Sequence, residues 1–135
     1  MKGLFILFII LSFFHKAEAQ YPVGAKASDL IPKPTLCNDL PGFFEFQPEK
    51  TIYAPQEFTE AANLLVELLR DGNKIAGQAN KAAIVFTKAS PNEKLGAEGY
   101  KLNISPEKIA ITAETVLGAT HAVFSILQLR FLQAD

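Results

Sequence analysis

The sequence predicts an α+β domain: a mostly antiparallel sheet with two α-helices packed on one face, preceded by a signal peptide. Three observations predict it. Residues 56–70 carry apolar side chains at helical period. Residues 82–113 hold short β-branched or alternating runs separated by turn residues. The last segment, from about Leu117, returns to helical spacing with a broad apolar surface. The order strand, strand, helix, strand, hairpin, helix suits one sheet covered by helices on a single side.

The chain begins with Lys2, an apolar run from Leu4 to Phe14, and Ala17-Glu18-Ala19. The run is long enough for a signal h-region and too short to span a bilayer. Residues 1–19 are therefore expected to be a signal peptide cleaved between Ala19 and Gln20. The mature protein is expected outside the cytoplasm, secreted or periplasmic, with no membrane attachment after cleavage. Residues 20–29 form a short leader and 30–135 the folded domain.

Ile31-Pro32-Lys33-Pro34 cannot be helical, because two prolines fix φ and favour extended backbone before them. Phe43-Phe44-Glu45-Phe46 follows the turn signal Pro41-Gly42 and predicts a short strand. Thr51-Ile52-Tyr53 predicts a second extended piece, closed by Pro55. In the first helix, Phe58, Ala61, Ala62, Leu65, Leu68 and Leu69 form one stripe. Arg70 in the last turn suits the helix dipole, and Asp71-Gly72 supplies the stop. Ala82 to Thr87 predicts a largely buried strand. Tyr100, Leu102 and Ile104 alternate with Lys101 and Asn103, and Ile109, Ile111 and Ala113 alternate with Ala110 and Thr112. Ser105 to Lys108 joins them as a hairpin with a four-residue loop. In the final helix Val123, Ile126, Leu127 and Phe131 follow helical spacing, and Phe124, Leu129 and Leu132 widen the face. Such a helix normally lies between two layers.

The charge balance excludes some partners. The chain has 13 Lys and Arg against 14 Asp and Glu, scattered along its length. Nothing favours nucleic acid or an anionic membrane. Cys37 is the only cysteine and has no internal partner for a disulfide. It reads as an inert thiol. There is no His-Glu-x-x-His zinc motif, and neither metal nor cofactor is expected. His121 reads as a helix-surface or interface residue, and Glu98 as a structural acid beside Gly99.

Leu95-Gly96-Ala97-Glu98-Gly99-Tyr100-Lys101-Leu102 resembles the "LGxEGYxL" strand of the N-terminal domain of family 20 β-N-acetylhexosaminidases. An "IxIxA" strand at Ile109 to Ala113 follows, then Gly118 to Leu129, similar to "GxFYGxxTLxQL". Upstream, Leu30 to Pro34 resembles the "IIPxP" entry strand, and Gly42 to Phe46 with Thr51-Ile52 resembles "GxFxLxxxTxI". The match covers residues 30–132. It marks Gly96, Glu98, Gly99, Tyr100, Gly118, Gln128 and Leu129 as structural motif positions. Thr120, His121 and Ala122 stand where the family usually has Phe-Tyr-Gly, in a region that packs toward the family's catalytic barrel.

The resemblance implies a non-catalytic, zincin-like α+β domain whose partner is a family 20 barrel, in cis if the parent chain is longer. In that family the substrate's acetamido oxygen attacks the anomeric carbon, assisted by an Asp-Glu pair on the barrel. No Asp-Glu dipeptide and no tryptophan occur here, and nothing barrel-like precedes Asp135. The chain is expected to be a truncated accessory domain, inactive alone, with no catalytic residue of its own. The alternative is a free-standing secreted module that binds glycan or protein.

Overall fold

The computed structural model of the protein describes residues 25–133, so residues 1–19, expected to be a signal peptide, and the Ala19–Gln20 bond lie outside the described residues. Four strands and two helices follow one another along the chain: β1 (Ile52–Tyr53), α1 (Thr59–Leu69), β2 (Ile84–Lys88), β3 (Tyr100–Ile104), β4 (Ile109–Ala113) and α2 (Val116–Gln133). The strands form one sheet in the order β1-β2-β4-β3.

The sheet is mixed, not mostly antiparallel. β1 runs parallel to β2, β2 runs parallel to β4, and only the β3–β4 pair is antiparallel. The cause lies in the connections. Parallel neighbours need a crossover of a dozen or more residues, and α1 supplies one between β1 and β2. The hairpin then places β3 at the far edge, so that β4 enters beside β2 in the same direction. Ile84, Val85 and Phe86 are buried on both faces of β2, as parallel strands usually are.

Strand register lines up the inner face. Ile52, Ile84, Ile109 and Ile104 form one row across the sheet, and Phe86, Ile111 and Leu102 form the next. Phe58, Ala61, Ala62, Leu65 and Leu69 from the α1 region pack on this face with Ala119, Ala122, Val123 and Ile126 of α2. Phe58 and Phe86 bring their ring centroids to 6.4 Å. The hairpin has the expected four-residue connection, closed by the Ser105 N–H donating to Lys108 O at 2.8 Å.

Three local expectations need correction. Phe43–Phe46 is not a strand: no backbone group of this segment joins a sheet ladder. It is irregular chain that plugs the core with Phe44 and a partly buried Phe46, whose rings meet edge-on at 5.1 Å. Leu30–Pro34 also forms no strand, since a 3-10 turn over Ala27–Asp29 leads into bends. Finally, Leu68 is exposed: the inner side of α1 is narrower than the apolar spacing. The helix ends on Arg70, which itself takes the left-handed conformation (φ 56°), before Gly72 repeats it (φ 76°).

Candidate docking surface

α2 positions every motif residue. Its N-terminus is capped by Thr115, whose hydroxyl accepts from Gly118 N–H at 3.1 Å and donates to Ala97 O. The loop before β3 lies against this first turn. A Cβ on Gly118 would come within 3.0 Å of Gly99 O and 3.3 Å of its carbonyl carbon, so only glycine admits the loop backbone this closely. Gly96 makes the loop's turn at φ 76°. His121 Nδ1 donates to Glu98 O at 3.2 Å, because a carbonyl can only accept. Gly96, Glu98, Gly99 and Gly118 thus meet at one joint. The Glu98 carboxylate makes no hydrogen bond or ion pair with the described residues and is exposed.

One turn further on, Tyr100 and the buried Ser125 share a hydroxyl–hydroxyl bond. At the far end Leu129 enters the core, and Gln128 clamps the main chain of Ile31 from both sides. Ile31 N–H donates to Gln128 Oε1 at 3.0 Å, and Gln128 Nε2 donates to Ile31 O at 3.0 Å. Arg130, the only charged residue of α2, turns inward. It bonds Leu69 O at 2.8 Å and Asp71 Oδ1 at 2.9 Å, and lies 5.1 Å from the Phe46 ring centroid.

The opposite side of α2 carries no charge. Val116, Leu117, Phe124, Phe131 and Leu132 are exposed there, Phe124 at 48% and Phe131 at 74%. Leu117, Phe124 and Phe131 recur every seven residues and form one stripe down the helix. The polar side chains interleaved with them are tied within the domain. Thr120 donates to Val116 O at 2.8 Å, His121 to Glu98 O, and Gln128 holds Ile31. The expected second layer over α2 is therefore not provided by the described residues. An ordinary surface helix is polar on its outer side; this one presents a low-charge apolar face suited to a partner.

A family profile described as glycosyl hydrolase family 20, domain 2, matches residues 27–134. The chain belongs to this family. Solved relatives agree with it. The family 20 domain is 27% identical to the exo-β-N-acetylglucosaminidase of Vibrio harveyi (TM-score 0.64), covering 80% of this chain and 17% of that one. It is 25% identical to the Streptomyces plicatus N-acetyl-β-hexosaminidase (TM-score 0.68), covering 80% of this chain and 22% of that one. The β-N-acetylhexosaminidase of Streptomyces coelicolor A3(2) shares its fold at 23% identity (TM-score 0.69; 78% and 22% covered). The family 20 domain thus spans about a fifth of the enzymes it matches. No curated protein matches it.

Sequence reasoning missed three residues that seat this helix. Thr115 was recoverable, because a threonine just before an apolar helical run is an N-cap signal. The inward turn of Arg130 and the position of Ile31 beside Gln128 depend on contacts across 59 and 97 residues, which no local pattern announces. Cys37 is exposed. Among the described residues no helix is long and apolar enough to cross a membrane, and no group of His, Cys, Asp and Glu is arranged to hold a metal.

Proposed function

We propose that this domain is the non-catalytic support of a secreted β-N-acetylhexosaminidase and that it docks on the catalytic barrel through the outer face of α2. The charge-free face of α2 is the observation that carries this reading. Burying Leu117, Phe124 and Phe131 against a barrel would contribute about 25 cal/mol for each Å² of apolar area removed from water. The polar groups between them already have partners, so desolvating that face strands few hydrogen bonds. The motif residues then act as scaffold: Gly96, Gly99 and Gly118 set the loop on α2, and Tyr100, Gln128 and Leu129 fix the helix to the sheet and to Ile31.

The reaction assigned to the parent enzyme is hydrolysis of terminal N-acetylhexosamine residues. Its support is the family and the Vibrio harveyi relative, an exo-β-N-acetylglucosaminidase seen with N-acetylglucosamine. In this reading the chain by itself has no hydrolase activity, and residues 1–19 direct export, with Gln20 as the first mature residue.

The test is direct. The reading frame past the codon for Asp135 is sequenced, and the encoded enzyme is compared with its Phe124→Asp variant. A frame encoding a barrel, with a lower barrel melting temperature in the variant, is the expected result. A frame that closes with no barrel refutes the arrangement in cis. Release of product from an aryl N-acetylglucosaminide by the purified chain alone refutes inactivity. Heat on titration with chitooligosaccharide would favour a glycan-binding module instead.

A further inference from the structure

The segment that follows the 3-10 turn Ala27–Asp29 is an ordered arm with three large aliphatic side chains in solvent. Ile31 is 79% exposed, Leu36 82% and Leu40 70%, the most exposed large aliphatics among the described residues. A flexible loop exposing such groups would be unremarkable. This one is braced. Pro32 and Pro34 fix φ along it, and Pro41 does so just past its end. Asp39 Oδ1 accepts from Ala27 N–H at 2.9 Å and ties the far end of the arm back to the 3-10 turn. Asp29 Oδ2 accepts from Lys26 N–H at 2.9 Å and holds its base. Gln128 grips Ile31 as a neighbouring strand would, with one bond in each direction at 3.0 Å.

Gln128 belongs to the outer side of α2, one turn after Phe124 and just before Phe131. The clamp therefore sets the arm against the edge of the charge-free face. Ordering a segment before binding lowers the entropy lost on binding. A rigid aliphatic arm beside an apolar helix face extends one contact surface instead of making a second, unrelated one.

We propose that the Ile31–Leu40 arm is the second contact of this domain with the catalytic barrel, and that Gln128 is the positioning residue that sets it. The proposal rests on the barrel-docking reading above and specifies its partner: an apolar barrel surface wide enough to receive Ile31, Leu36 and Leu40 together with Phe124. The relatives in which this domain is a fifth of a longer enzyme supply the reason to name the rest of that enzyme, the barrel of the reading above, as occupant.

Cys37, the only cysteine of the chain, lies inside the arm and reports on it. The parent enzyme and this chain alone are alkylated with iodoacetamide, and the peptide bearing Cys37 is followed by mass spectrometry. The expected result is that Cys37 reacts at least about tenfold more slowly in the enzyme, an equilibrium closed by 1.4 kcal/mol or more. Equal rates overturn the proposal. The Gln128→Leu variant should raise the Cys37 rate in the enzyme, and Gln128→Glu, which keeps the acceptor for Ile31 N–H, should restore part of the protection. An unchanged rate in Gln128→Leu overturns the positioning role. The Leu36→Asp variant separates the two readings. If Phe124→Asp lowers barrel stability and Leu36→Asp does not, the arm fails and the docking reading survives. If neither does, both fail, as they do if the reading frame holds no barrel.

Discussion

Replacing Gly118 by alanine sets two known effects against each other. The position is the third residue of α2, where alanine is favoured over glycine by about 1 kcal/mol on helix propensity. The new Cβ, however, would lie 3.3 Å from the Gly99 carbonyl carbon and within 3.0 Å of its oxygen. The obstacle is backbone, held by the Thr115–Ala97 and His121–Glu98 bonds, so it cannot swing aside as a side-chain tip would. Inserting a methyl group into such a contact costs about 1–3 kcal/mol. Separating helix and loop to make room would also weaken the cap, because Gly118 N–H is the donor to Thr115 Oγ1. A strained cap adds about 0.5–1 kcal/mol. The steric and capping losses exceed the propensity gain, and Gly118→Ala is expected to lose about 1–2 kcal/mol, or roughly 4–8 °C of melting temperature. Gly77→Ala is the control. Its Cβ would meet nothing within 4 Å, and restricting the unfolded chain should leave stability unchanged or raise it by a few tenths of a kcal/mol. Urea unfolding followed by circular dichroism measures both. A Gly118→Ala protein as stable as the parent would refute the claim that the loop is seated on the helix backbone.

Thr115→Ala removes a hydroxyl that both caps α2 and holds Ala97 O, and should cost about 1–2 kcal/mol in the same assay. Arg130→Met leaves Leu69 O and a half-buried Asp71 without their cation. A loss of about 1–2 kcal/mol is expected, with the double variant Arg130→Met/Asp71→Asn recovering part of it. The Lys101 ammonium, and then the Ser90 N–H, hold the Glu93 carboxyl below its ordinary range. Its folded value is depressed, so its contribution to stability is present above the unfolded carboxylate range and is lost as pH falls through the folded value. An NMR titration of Glu93 should move back toward the ordinary range in Lys101→Met. The chain alone should self-associate through α2, and Phe124→Glu/Phe131→Glu should run as a monomer in sedimentation with its fold intact.

Much of the fold was legible because two periods were clean. The alternation at 100–104 and 109–113 and the apolar spacing at 58–69 dictated their elements, and burial follows them closely apart from Leu68. Strand direction was partly legible, since the helix between β1 and β2 supplies the crossover that a parallel pair requires. Ile84-Val85-Phe86, apolar at successive positions, carried the same signal. Phe43–Phe46 misled because an aromatic run after the Pro41-Gly42 turn signal reads as a strand while its backbone pairs with nothing: Phe44 and Phe46 pack as a plug, and a short apolar run cannot tell a plug from a strand. The docking surface was half visible. The breadth of apolar residues in α2 announced a missing layer, but the inward turn of Arg130 and the grip of Gln128 on Ile31 arise only when distant segments meet.

The inward-facing Arg130 has an evolutionary consequence. Core residues of α2 and its outer residues occupy separate arcs, and Arg130, which ties the helix to Leu69 and Asp71 at the end of α1, sits on the inner arc. Leu117, Phe124 and Phe131 can therefore drift in size and shape without disturbing the scaffold beneath them. If the outer face docks as proposed, affinity for a neighbouring module and stability of the domain are written in different letters of the same helix, which leaves selection free to retune the first while holding the second constant.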